Sequence, residues 1–146
     1  MLHFILTEIG HMSLAIIGAV YCYKKYKKYL SAALVIMGGF FIDLDHLIDY
    51  FLNSGFGFNL MRFITGASYI ASGRAFIIFH AWEWLLGLVL LGHVTKKQYF
   101  FYSLALGMFL HLCLDQVTNS VGPFSYFMTF RLLTNFSLTA FTRGTL

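Results

Sequence analysis

The chain has 146 residues, 59% of them hydrophobic, 19% aromatic and only 11% charged, with a single proline. That composition excludes a soluble globular domain and describes one small integral membrane domain, residues 1–146. The net charge of +4 is no sign of a nucleic-acid partner, because the basic residues fall where membrane topology puts them.

A membrane-spanning helix needs about 20 apolar residues, and four segments meet that length: about 2–23, 29–52, 75–94 and 99–118. The N-terminus lacks the basic region and small-residue cleavage site of a signal peptide, so the first segment is expected to be retained. Lys24, Lys25, Lys27 and Lys28 join the first two segments, and Lys96 and Lys97 join the last two. The loop 53–74 is rich in Gly, Ser and Phe and is apolar enough to lie on the membrane surface or dip into it. Gly122-Pro123 stops the fourth segment. The tail 119–146 is apolar but broken by Arg131 and by Thr and Asn residues, as suits an interfacial or re-entrant segment, with a fifth span as the alternative. The expected fold is all-α, a four-helix membrane bundle plus that C-terminal segment. Cys22 and Cys113 lie inside apolar segments with no CxxC spacing, and no disulfide is inferred.

The acidic residues are not spread over a surface. All six lie in the membrane-length segments, and each is one, three or four positions from a histidine: Glu8 with His11, Asp43, Asp45 and Asp49 with His46, Glu83 with His80, and Asp115 with His111. Spacings of three and four put two side chains on one helix face. Ionisable groups in apolar spans are costly and are retained for function or pairing. At ~1.5 Å per residue, His11, Asp43, Asp45, His80, Glu83, His111 and Asp115 all fall roughly 20–27 Å from their nearest basic turn, a common layer in the outer half of the membrane. The same count excludes His93, three positions from Lys96, and argues against His3, near the outer surface; Glu8 remains a possible ligand.

Imidazole with carboxylate is a donor set for zinc, and also for manganese or iron. The candidates outnumber the four ligands of one tetrahedral ion, so two or three divalent ions with bridging carboxylates are expected. The expected metal ligands are His11, Asp45, His46, His80, Glu83, His111 and Asp115. Asp43 or Asp49 is expected to support them or to act as general base; the sequence leaves open which of the three aspartates binds metal. On an ideal helix Asp45, His46 and Asp49 share an arc of about 100° and Asp43 lies to one side. Trp82 and Trp84 suit lipid-facing or packing positions. Arg62 and Arg74 suit interface anchors or, alternatively, hold an anionic substrate headgroup.

Gly10-His11 in the first segment, Asp43-Leu44-Asp45-His46 late in the second, and His111-Leu-Cys-Leu-Asp115-Gln-Val-Thr118 ending the fourth resemble the motifs of the membrane-bound metal-dependent hydrolase family (YdjM-like, LexA-regulated in some bacteria) over most of residues 10–127. The last of these is also loosely similar to zinc-dependent phospholipase C. Ile42 stands where the family has proline. His80 matches the second histidine of the family's His-Arg-x-x-x-His-Ser block, while Ala75 and Phe76 occupy its first two positions. The resemblance implies a metal-dependent hydrolase, and the expected substrate is a phosphoester or related bond of a membrane lipid at the outer leaflet. A metal- or proton-translocating or metal-stabilised membrane protein is the competing reading, and a haem carrier, which needs no acids, ranks last.

All six lysines lie in the two tight turns, which places both turns in the cytoplasm by the positive-inside rule. Cysteine introduced by Tyr26→Cys or Lys97→Cys is therefore expected to resist an impermeant maleimide applied to intact cells. Labelling from outside refutes this topology.

Overall fold

A computed structural model describes the backbone of residues 2–143 and the side chains of residues 5–143. In chain order the helices are α1 (Leu2–Tyr26), α2 (Tyr29–Phe40), α3 (Asp45–Ser54), α4 (Leu60–Ile64), α5 (Ala67–Ser72), α6 (Trp82–Val94), α7 (Gln98–Thr118), α8 (Met128–Leu133) and α9 (Leu138–Arg143). A 3-10 turn, Phe41–Leu44, joins α2 to α3. The chain falls into two compact units, Met1–Ile42 with Trp82–Asn119, and Asp43–Ala81 with Ser120–Leu146.

Three helical runs, Ile5–Tyr26, Tyr29–Ser54 and Gln98–Thr118, are long and apolar enough to cross a membrane. Their surfaces agree with that reading. On α1 the large apolar side chains Leu6, Ile9, Ile16 and Ile17 are exposed, while Ala15, Ala19 and Cys22 are buried. A water-soluble helix hides its large apolar side chains; this one hides the small ones, as membrane helices do at their contacts.

In the first unit α1, α2 and α7 pack on one another, and α6 packs on α7. Glycine sets the α2–α7 contact. A Cβ at Gly107 would stand 2.1 Å from the Val35 carbonyl oxygen, and one at Gly38 would stand 2.3 Å from that of Leu104. The two backbones therefore touch, with no side chain between them. The α1–α2 turn is closed by Lys27, which takes a positive φ of 54° and donates its N–H to the Tyr23 carbonyl at 2.8 Å.

The second unit holds α3, α4, α5, α8 and α9 and a non-helical strap, residues 74–81. The strap corrects an expectation: the helix foreseen from Ala75 begins only at Trp82. Carboxylates on α3 divert the backbone donors that a helix would use. Asp49 accepts from the Phe76 N–H, and Asp45 accepts from the N–H groups of Phe79 at 2.7 Å and His80 at 3.3 Å. The helical rise counted to His80 consequently does not apply. At 13 residues, α6 is about 20 Å long, short of a hydrocarbon slab of about 30 Å.

The C-terminal segment folds back onto the strap. Ala75 donates to Phe136 at 3.0 Å and Leu138 donates to Gly73 at 2.8 Å. Its helices α8 and α9 have six residues each, or ~9 Å of rise, so among the described residues no helix supports the alternative of a fifth span.

Gly107→Val forces a branched side chain into the α2–α7 backbone contact. It is expected to destabilise the fold by roughly 1–3 kcal/mol or more, seen as a lower midpoint of thermal unfolding in detergent. Gly87→Ala, where nothing lies within 4 Å of the new Cβ, serves as the neutral control.

Candidate metal centres

Among the described residues, two groups of three bring one ligand atom each to within 4.8 Å of one another: His11, His111 and Asp115, and Asp43, His46 and His80. The first lies in the first unit and the second lies in the second unit.

The glycine contact builds the first group. Gly39 is in the last turn of α2, where carbonyls lack helical partners. His111 Nδ1 lies 2.8 Å from its oxygen. A carbonyl only accepts, so Nδ1 carries the proton and Nε2 of a neutral ring presents a lone pair. One helical turn on, Asp115 Oδ2 stands 3.2 Å from that Nε2. Asp115 Oδ1 stands 3.2 Å from His11 Nε2 and also accepts from Asn119 Nδ2 at 3.1 Å. The His11 and His111 rings are stacked, with centroids 3.8 Å apart. All three residues are buried, and among the described residues His11 Nδ1 has no hydrogen-bond partner.

The strap builds the second group. Asp45 Oδ2, which fastens the strap amides, is also 3.0 Å from His80 Nδ1. A carboxylate accepts, so Nδ1 again carries the proton and Nε2 is left with a lone pair. That Nε2 meets Asp43 Oδ1 at 3.2 Å, and His46 Nε2 is 3.6 Å from the same oxygen. Asp43, which stands in the 3-10 turn, shares this group with His46 three positions on, and Asp45 and Asp49 do not belong to it. Behind His80, the buried Arg131 donates from Nη2 to the His80 carbonyl at 2.6 Å.

In both groups a ring nitrogen that is an acceptor faces a carboxylate oxygen that is an acceptor. Two lone pairs at 3.2 Å repel unless a positive charge lies between them, either a second proton on the ring or a metal ion. The 3.2 Å separations are close to the edge of about 3.3 Å expected between ligands around a tetrahedral zinc with bonds of about 2.05 Å. The residues present therefore fit a divalent ion.

The other expected site residues are placed as follows. Asp45 holds His80 through Nδ1. Asp49 is taken up by the Phe76 amide and by Asn53 Nδ2 at 3.0 Å. Burial, with the Asp49 carboxylate second, holds the nearby Tyr69 hydroxyl above its ordinary pKa. Glu83 sits in the first turn of α6 and belongs to neither group, nor does Glu8. Arg62 is exposed on α4, and Arg74 is exposed at the start of the strap, where it bridges Ser137. His93 is exposed in the last turn of α6. The side chain of His3 lies outside the described residues. Sequence reasoning missed the Gly39 carbonyl, Asn119, the strap amides and Arg131 as parts of these centres. Arg131 alone carried a signal, being a cation in the middle of an apolar tail.

No protein-family model, curated protein or solved structure matches the chain.

Asp45→Asn weakens the hold on His80 Nδ1 and is expected to lower metal affinity roughly 10–100-fold. His93→Ala is expected to leave it unchanged. Zinc titration against a competing chelator, on protein purified without chelators, measures both; an unaltered affinity in Asp45→Asn contradicts this geometry.

Proposed function

We propose that the protein is a membrane-embedded, metal-dependent hydrolase of the type its motifs resemble. It acts on a phosphoester or related bond of a lipid at the outer leaflet, with two or three divalent ions, zinc foremost and manganese or iron as alternatives. In this reading the chain crosses the membrane four times with its basic turns in the cytoplasm, and the C-terminal segment is interfacial or re-entrant. The observation that carries it is the pair of lone-pair encounters, His80 Nε2 with Asp43 Oδ1 and His111 Nε2 with Asp115 Oδ2, both at 3.2 Å. Neither has a proton to share in the neutral ring, and a divalent ion removes the repulsion at both.

A bound divalent ion supplies a nucleophilic water at neutral pH and polarises a phosphoryl oxygen. The chain's own residues do the rest. Asp45 and the Gly39 carbonyl orient the two imidazoles and hold their protons on Nδ1. Asp43 and Asp115 balance charge. Arg62 and Arg74 hold an anionic headgroup by charge-assisted hydrogen bonds. A second reading, a metal-stabilised membrane protein without activity, is favoured by one observation: His11, His111 and Asp115 are all buried, as in a closed structural site.

Zinc-loaded protein in mixed micelles is expected to hydrolyse at least one member of a panel of phospholipids, isoprenoid phosphates and lipid esters. His111→Ala and Asp45→Ala should abolish turnover and reduce metal content. Arg62→Ala and Arg74→Ala should raise KM roughly 10-fold or more with metal content unchanged. Metal-replete wild type that turns over none of the panel favours the second reading.

A further inference from the structure

The two groups hold similar donor atoms in dissimilar settings. In the first, the side chains of His11, His111 and Asp115 are 2%, 0% and 7% exposed. His111 is tied to Gly39 where the α2 and α7 backbones touch, so it cannot withdraw without parting those helices. Both oxygens of Asp115 are engaged, one by each histidine, and Asn119 adds a donor to Oδ1. Among the described residues this centre is enclosed, with all three side chains at 7% exposure or less.

In the second group only His80 is enclosed, at 1% exposure. Asp43 is 30% exposed and His46 is 41% exposed. His80 is fixed from behind at two points, by Asp45 at Nδ1 and by Arg131 at its carbonyl. Its two companions stand on the 3-10 turn and the first turn of α3, where the helix changes its pitch. One enclosed ligand and two part-exposed ones keep this group accessible from outside the fold. Next to His80, the second oxygen of Asp45 is wholly buried and, among the described residues, has no hydrogen-bond partner. A bare buried carboxylate oxygen is costly, and a cation in the adjoining group offsets that cost.

We infer that the two centres divide the work. His11, His111 and Asp115 take a permanently held structural ion, while Asp43, His46 and His80 take an exchangeable ion whose open position receives water or an exogenous oxyanion. Structural metal sites are closed and catalytic ones keep a position open, and the two exposures follow that division. The inference rests on the metal reading above and assigns the chemistry to the second unit.

The test is metal release from full-length, zinc-loaded protein in lipid nanodiscs, followed with a chromogenic chelator. Wild type is expected to release about one equivalent quickly and to retain about one, with rates at least roughly 10-fold apart. Asp43→Asn and His46→Ala, both at exposed positions, should lose the fast phase and keep the slow one. With cobalt in place of zinc, inorganic phosphate should perturb the visible spectrum of wild type and leave that of His46→Ala unchanged. Release of both ions in a single phase overturns the division of roles and leaves the metal reading standing. So does a His46→Ala protein that keeps the fast phase and loses the slow one. Protein that takes up neither zinc nor cobalt overturns both.

Discussion

An ionised group surrounded by apolar side chains must find a partner, and much of this molecule is arranged by that requirement. Asp45 and Asp49 meet it with backbone N–H groups drawn from the strap. Those amides are then lost to helix formation, which is why residues 74–81 are not helical and α6 starts at Trp82. The same carboxylates thus end one helix, place His80 and choose its tautomer. Arg131 meets the requirement by bonding the His80 carbonyl, which ties the C-terminal segment to the strap.

In the first unit a steric requirement precedes the electrostatic one. Gly38 and Gly107 admit backbone contact between α2 and α7, and Gly39 lies against Gly107 in the same contact. Only at that distance does a histidine of α7 reach a carbonyl of α2. Small residues at helix contacts are a general device of membrane proteins, where lipid competes evenly for large apolar side chains. Here the device also orients a ligand candidate. Packing and site geometry are one feature, so a side chain added at Gly107 disturbs both.

Much of the helical layout was legible from periodicity and length. The three long apolar helices, the two lysine turns and the loop after the second segment all lie where hydropathy and charge put them. The pairs Asp43 with His46 and His111 with Asp115 were legible as well, because spacings of three and four mark a shared face. The spacing that paired His11 with Glu8 and His80 with Glu83 named acids that belong to neither group, and Asp43 was expected to support the ligands or act as general base. Residues 75–81 misled for a physical reason. They are apolar, and apolar runs read as helix unless something outside them claims their N–H groups. The competing acceptors, Asp45 and Asp49, are 27 or more positions away, beyond any local pattern.

What the sequence determined by itself was local and compositional: a membrane protein built of helices, with its six acids confined to the apolar segments and each one, three or four positions from a histidine. Those properties follow from single-residue transfer energies and from the pitch of a helix. Only the tertiary structure decided which atoms face one another. It sorted the ligand candidates into two groups and brought Asp43 beside His80. It turned Asp45 toward Nδ1 and left one group enclosed and the other accessible. These outcomes depend on a backbone contact through glycine and on carboxylates that capture distant amides. Both arise between segments far apart in the chain, where spacing and composition carry no information.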